Sequence, residues 1–388
     1  MDYTPNEDHE AIREGVRNVC SKFDDNYWSK CDSEHEFPWA FYEAMAEGGW
    51  IAIAIPEEFG GGGQGITEAC IVLEEVARSG AAMNGASAIH LTIFGLNPVT
   101  KHGSDEMKGK YLSQVADGSL HVCFGVTEPN SGSNTPAIET RAIRDGSDYV
   151  IRGQKVWTSK APYCQRCLLL VRTTPLEECK RRTDGMSLFL VDLQQPGVTI
   201  NPIPKMGRNA VVSCEVVYDD LRVPGEDLVG EEGLGFNYLL DGLNPERLLI
   251  AAEGLGIGKV ALDRATAYAK DREVFGRPIG KNQGISFPLA EAHARLKAAE
   301  AVLWEGAWRY DNGFPGGEHA NLAKFLCADA AFQAADVALQ THGGFGYAEE
   351  YHVARYWREA RLMKIAPISQ EMILNYVSEH VLGLPRSY

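Results

Sequence analysis

The hydrophobic period of this chain changes twice along its length, and that double change restricts the fold more than any other feature. Up to about residue 120 apolar residues recur at helical spacing, as in Ile12, Val16, Val19 and Phe23 and in "ITEACIVLEEVARSG". The stretches "FPWAFYEAMAEGG" and "SDEMKGKYLSQVADG" predict further helices. From 121 to about 230 the text becomes short β-branched runs cut by Gly, Pro and Asp: "HVCFGVTE", "TRAIRDGSDYVIRGQKVWTS", "CLLLVRTT", "MSLFLVDL", "VTINPI" and "VSCEVVYDDLRVP". From about 233 it is helical again and rich in Ala, and small residues repeated through long helices permit close helix–helix contact. The expected architecture is an α+β multidomain chain. An N-terminal α-helical domain (1–120) precedes a central antiparallel β-barrel or sandwich (121–232) and a C-terminal four-helix bundle (233–388) able to form an oligomer interface. A chain of 388 residues with 45% apolar content can bury the cores of two or three such units.

Charge and composition narrow the partners. Lys+Arg number 37 against Asp+Glu 53, a formal charge of −16 that repels phosphate backbones, so nucleic acid is not an expected partner. The longest apolar runs, "CLLLV" and "WIAIAI", fall far short of the roughly 20 residues that span a bilayer. The N-terminus "MDYTPNEDHE" is acidic and polar where a secretion signal is basic and then apolar, and a cytoplasmic protein is expected. Of nine cysteines only Cys164 and Cys167 form a close CxxC pair, and with no second pair at ligand spacing they read as structural; no metal site is expected.

One glycine motif misleads. Gly60, Gly62 and Gly65 in "FGGGGQG" satisfy GxGxxG after the strand-like "WIAIAIP", the pattern of a nicotinamide-binding turn. Carboxylates at Glu57 and Glu58 would face the pyrophosphate, and no alternating parallel strands follow, so the stretch reads instead as a flexible loop joining two helices. Four other segments carry polar or aromatic groups in turn-rich surroundings. "FGVTEPNSGSNT" holds the hydroxyls of Thr127, Ser131 and Ser133, and "GQKVWTSKA" sets Trp157 beside Thr158 and Ser159. "DREVFGRPIGKNQ" offers Arg272, Phe275 and Arg277, and "QTHGGFGY" is a Gly-rich break after a helix. Each alone reads equally well as turn or core.

Together, and in this order with "AMAEGGWIAIAIPEEFGG" and "ERLLIAAEGLGIGKVALDRATAYAKDREVFGRPI", they resemble the acyl-CoA dehydrogenase family over nearly the whole chain. The resemblance implies FAD as cofactor, an acyl-CoA substrate, a homotetramer (or homodimer), and an electron-transfer flavoprotein as acceptor in fatty acid β-oxidation. It implies that Thr127 and Trp157 with Ser159 flank the flavin ring, and that Ser133 lies where the pyrophosphate and the CoA chain pass. Arg272, Phe275 and Gln283 would hold the diphosphate and adenosine end, partly from a neighbouring subunit, as would Gln340, Gly343 and Gly344. Ser369 matches a family Thr near the flavin, Arg247 an Arg of the active-site helix, and His90 in "GASAIHLTIFGL" the floor of the acyl pocket; a lone His of this kind reads equally as a core residue.

The resemblance fails at the base. Where many members carry Glu in a "YEGT" stretch, this chain has "KIAPISQE", and the Glu position falls on Pro367. The isovaleryl- and long-chain acyl-CoA dehydrogenases instead keep the base just before the active-site Arg, and "NPERLLI" puts Glu246 there. Asn244 and Pro245 form a cap-and-first-turn pattern that starts or kinks a helix, which would set Glu246 among free amides. On this reading Glu246 takes the α-proton while hydride leaves the β-carbon for the flavin, giving a trans-2-enoyl-CoA. The family's backbone donor to the thioester oxygen is absent, because Pro367 has no N–H; the N–H of Ile368 is the expected substitute. A same-fold acyl-CoA oxidase, desulfinase-like thioester enzyme or flavin monooxygenase, or a non-catalytic CoA-ester-binding protein, are the alternatives; Glu246 speaks against the last.

Overall fold

The structure is a computed structural model that describes residues 6–387, so part of the polar N-terminal stretch weighed above lies outside the described residues. Seven helices come first: α1 (Glu7–Cys20), α2 (Asp25–Glu34), α3 (Trp39–Glu47), α4 (Ile66–Val76), α5 (Ala82–Phe94), α6 (Asn97–His102) and α7 (Asp105–Ala116). Local sequence starts several of them. The side chains of Asn6, Asp24 and Ser104 accept from the amides of His9, Tyr27 and Met107, satisfying first-turn donors. Phe23, grouped with α1 by spacing, lies beyond its end and packs on Phe41 instead.

Eight strands follow: β1 (Val122–Gly125), β2 (Arg141–Asp145), β3 (Asp148–Ser159), β4 (Arg166–Arg172), β5 (Met186–Asp192), β6 (Val198–Pro202), β7 (Ser213–Val223) and β8 (Leu228–Val229). They form one sheet in the order β6-β7-β3-β2-β4-β5-β8, with β1 added on β4. The pairing is not wholly antiparallel as expected: β1 and β2 both run parallel to β4. β3 reverses β2 and β4 reverses β3, so β4 runs along β2, and it pairs there because β3 is already flanked by β2 and β7. Along β4 and β5 both faces are buried: Leu168, Leu170, Leu188 and Leu190 pack with α7, and Leu169, Val171, Phe189 and Val191 with Tyr149 and Tyr218.

The last part holds α8 (Gly235–Asp271), a short hairpin of β9 (Glu273–Val274) and β10 (Arg277–Pro278), α9 (Gln283–Asp311), α10 (Gly317–His342), α11 (Val353–Met363) and α12 (Gln370–Tyr376). Helices α8, α9 and α10 pack on one another, and α11 closes against α8 and α10. The glycines of "EGLGIGKV" set the spacing. A Cβ on Gly256 would stand 2.4 Å from the carbonyl oxygen of Glu74 in α4, and one on Gly258 3.0 Å from Ala331 Cα in α10. The N-terminal helices and the bundle therefore share one core, in which Trp28, Phe41 and Val76 meet Leu249, Leu255 and Ala331's neighbours Ala330 and Ala334. No helix among the described residues is long and apolar enough to cross a membrane.

"WIAIAIP" is not a strand. Trp50–Ala52 make one 3-10 turn, and the glycine run folds back over it, with the amides of Gly62, Gly63 and Gln64 bonded to the carbonyls of Ala52, Ile55 and Ile53 at 2.8 to 2.9 Å. Alternating Ala and Ile fill holes under this loop instead of pairing with a neighbour. A Cβ on Gly61 would lie 2.1 Å from the Ile55 carbonyl oxygen, which accounts for glycine there. Gly61→Ala is expected to lower the unfolding free energy by about 2 kcal/mol, read as a lower urea midpoint at unchanged slope.

Candidate active site

Helices α5 and α8 face each other where α5 carries His90 and α8 carries Glu246 and Glu253. Seven residues apart on a helix, the two carboxylates point from the same face. His90 lies between them: Nε2 is 2.9 Å from Glu246 Oε2 and Nδ1 is 2.8 Å from Glu253 Oε1. His90 is 5% exposed and Glu253 0%, while the Glu246 side chain keeps 27% of its surface open. Burial works against a charged imidazole, but the two carboxylates outweigh it and hold His90 well above the ordinary histidine range.

Glu246 is not in a first turn. α8 begins at Gly235 and runs through Pro245 without ending, so the free-amide environment expected for Glu246 is absent. Pro245 removes one helical donor, yet Leu239, Gly242, Pro245, Leu248 and Leu249 form a continuous buried face that holds the helix together across it. The charge at Glu246 is answered by His90 instead. Nor does His90 stand free in a pocket: both ring nitrogens are engaged.

Sequence reading missed Glu253 and Arg208. The seven-residue spacing from Glu246 in "NPERLLIAAEG" was the available signal for Glu253. Arg208 carries no such signal; it precedes β7 with a left-handed φ of 57°. Its Nη2 donates to Ser159 Oγ (2.9 Å) and Ser213 Oγ (2.8 Å). Burial pulls the guanidinium down from its usual range while Glu253 and Glu359 pull it back. Arg208 thereby joins Ser159 to Ser213 and, at 3.5 Å, to Ser87 of α5.

Arg247 donates to Asn244 Oδ1 (2.8 Å), and burial lowers it despite Tyr376 and Glu246. Across from it Lys324 donates to the Ile368 carbonyl (2.6 Å) and is pushed down to about 8 by burial and by Arg247. Ser369 caps α12, accepting from the amide of Met372. The segment 366–369 is thus pinned beside Arg247.

The sheet supplies a second wall. The Val156 amide donates to the Thr127 carbonyl (2.9 Å), which sets Thr127 against the strand carrying Trp157. Trp157 has a left-handed φ of 64° and is 57% exposed, and the buried hydroxyl of Thr158 has no partner among the described residues. Ser133 is exposed on the outer turn of the same loop. Glu128 staples that loop: it accepts from the amides of Glu139 (2.6 Å) and Thr140 (3.0 Å) and from Lys155 Nζ (2.7 Å). Burial opposes the Glu128 carboxylate, but Lys155 and the amides hold it below the usual range; burial pushes Lys155 down to about 8.

The remaining residues gather at the far end of α8. Arg272 stacks over the Phe345 ring at 5.7 Å, next to exposed Gly343 and Gly344, and Gln340 is exposed in the preceding turn. Phe275 is wholly exposed in the hairpin, and Gln283 opens α9. From Glu246 to Asp271 the helix rises by roughly 38 Å, so one chain does not bring this group to Glu246.

A helical frame around a sheet, with a carboxylate–imidazole–carboxylate row between α5 and α8 and an exposed Trp157 on the sheet, is the architecture on which the site residues stand. Comparison with known proteins makes this specific. The family descriptions "Acyl-CoA dehydrogenase, N-terminal domain", "middle domain" and "C-terminal domain" match residues 6–119, 123–221 and 233–382. The acyl-CoA dehydrogenase FadE12 of Mycobacterium tuberculosis is 39% identical over 100% of this chain and 99% of its own length. The mitochondrial short-chain specific acyl-CoA dehydrogenase of Mus musculus is 32% identical over 98% and 92%. The solved structure of butyryl-CoA dehydrogenase from Megasphaera elsdenii superposes with a TM-score of 0.93 at 27% identity, covering 98% of this chain and 100% of that one. This chain belongs to the acyl-CoA dehydrogenase family and is an oxidoreductase with that fold.

Removing the Glu128 staple tests the sheet wall. Glu128→Gln leaves Lys155 buried and unpaired, and a loss of about 3 kcal/mol in unfolding free energy is expected. In the parent protein the Glu128 contribution is fully present above the ordinary glutamate value and is lost as pH falls through its depressed folded value, so the acid-side stability curve of the variant should be flatter than that of the parent.

Proposed function

We propose that this protein is an FAD-dependent acyl-CoA dehydrogenase whose base is Glu246. The observation that carries the reading is a partly open carboxylate on α8, oriented by a buried histidine, in a chain with Pro367 where many relatives hold their base. Glu246 removes the α-proton of a CoA thioester, and the product is the trans-2-enoyl-CoA. The cofactor is FAD, whose flavin ring accepts the β-hydride when bound.

The residues on the page fit that group. Trp157 exposes an apolar face two residues before Ser159, whose hydroxyl is held by Arg208, a combination suited to a planar polar-edged ring. Thr127, Trp157 and Ser159 are proposed to hold the ring, with Ser369 beside it, and Ser133 to pass the pyrophosphate and the CoA chain. Arg272, Phe275, Gln283, Gln340, Gly343 and Gly344 are proposed to hold the diphosphate and adenosine end. The helix length separating them from Glu246 favours a second copy as their source, and fully exposed Phe275 is suited to such an interface; a homotetramer is the proposed assembly.

For the thioester oxygen we assign the Ile368 N–H as donor, because Lys324 holds the adjoining carbonyl and so fixes the turn. An electron-transfer flavoprotein is the proposed acceptor, and β-oxidation the proposed setting. The short-chain and butyryl specificities named for two relatives favour a short acyl group here. A cytoplasmic location agrees with nine free cysteines.

The test is anaerobic titration of the purified flavoprotein with butyryl-, isobutyryl-, isovaleryl- and hexanoyl-CoA. Bleaching of the oxidised flavin band by at least one is expected, with a rate lowered by about 10²–10⁴-fold or more in Glu246→Gln. Full-speed bleaching in that variant refutes the base; rapid oxygen consumption during turnover refutes the dehydrogenase in favour of an oxidase.

A further inference from the structure

The row Glu246–His90–Glu253 has a proton count that geometry dictates. A neutral imidazole offers one N–H and one lone pair. Here both ring nitrogens meet carboxylate oxygens at hydrogen-bond distance, 2.9 and 2.8 Å, and a lone pair against a carboxylate oxygen would repel. The row therefore carries one proton more than a neutral imidazole between two carboxylates. Glu253 has no water to face, and its companions are His90 and the nearby guanidinium of Arg208. Charges alternate along the row, carboxylate, imidazolium, carboxylate, and the guanidinium of Arg208, which bonds Ser159, adds its field near Glu253 without bonding it.

We propose that His90 is the positioning residue of the base: anchored by Glu253, it donates to Glu246 and keeps that carboxylate ionised and aimed while the acyl group covers it. This rests on Glu246 being the base. An acyl chain seated over Glu246 strips away its remaining water, which drives a carboxylate toward its neutral form and out of action. The donated N–H opposes that drive. Glu253 cancels most of the imidazolium's charge, so Glu246 receives a directed hydrogen bond without the full field of a cation, and retains the basicity that α-proton removal requires. The charged groups around the row are few. Glu246 and Glu253 face His90 from α8, Arg208 acts on Glu253 from the sheet side, Arg247 acts on Glu246 along α8, and Lys160 donates to the Ala88 carbonyl on α5. None but the two carboxylates bonds the ring. The row also makes position 90 a determinant of how the base works and not of acyl length alone.

The experiment uses the flavin-loaded enzyme in two ways. In protein labelled at histidine, the ring resonance missing from His90→Gln is followed with pH; it is expected to stay in the imidazolium position as pH passes well above the ordinary value of about 6.5, and titration near that value overturns the proposal. Separately, deuterium exchange from D2O into the α-carbon of 3-thiabutyryl-CoA is measured against pH. The sulfur at the β-position has no hydride to give, so exchange reports proton removal alone. In His90→Gln the acid limb of the exchange profile should move upward by about one pH unit, a roughly tenfold loss below pH 7 with a smaller change in analogue affinity. Glu253→Gln leaves the imidazolium's charge uncancelled beside Glu246 and should move the acid limb downward instead. Should His90→Gln fold poorly beside an unpaired Glu253, the double variant His90→Gln/Glu253→Gln removes both charges together and should show the upward displacement of His90→Gln. A profile that superimposes on the parent's, with exchange still lost in Glu246→Gln, refutes the role of His90 and leaves the base standing. Undiminished exchange in Glu246→Gln refutes the base, and the proposal with it.

Discussion

Glu253 is buried with no surface open to water; His90, from the N-terminal helices, bonds one of its oxygens, the other has no partner among the described residues, and the guanidinium of Arg208 acts on it from the sheet side only through its charge. A carboxylate taken out of water costs several kcal/mol unless partners answer it. The hydrogen bond to His90 answers part of that cost and fixes how α5 faces α8 at this point. Arg208 stays in a left-handed conformation at a cost of order 1 kcal/mol because Ser159, Ser213 and the nearby carboxylates reward it. What the site does chemically follows from the same arrangement, since the free end of the row is Glu246.

The close packing around α8 depends on residues with no chemistry of their own. The glycines at 254, 256 and 258 let α4 and α10 come within backbone contact of α8. With side chains there, α4 and α10 would be pushed off α8 and the core they share would open. On the other wall the Glu128–Lys155 pair does the same service for the turn carrying Thr127 and Ser133. Packing and buried charge together thus decide where the reactive and the cofactor-facing groups stand.

How much of this was legible varied with the range of the interaction. Helical and strand periods are local, and α4, α7, β1 to β7 and the long helices appear where the period placed them. The failures came where a distant contact overrode a local signal. "WIAIAIP" alternates as a strand does but has no strand to pair with, so it turns under the glycine loop. Pro245 reads as a helix start, but the apolar face on both sides of it is buried continuously and the helix goes through. The antiparallel expectation failed at β4 because pairing order is set by which edges remain free once β3 lies between β2 and β7.

The sequence by itself determined the succession of helical, sheet and helical parts and the acidic character of the chain. Each of these rests on residue type and on spacing along a single element. Only the tertiary structure decided that His90 bridges Glu246 and Glu253, that Arg208 reaches Ser159, and that Arg272 lies against the Phe345 loop far from the base. Those pairings join residues 49 to 163 positions apart, and no periodic pattern within one element encodes which face of a distant helix it will meet.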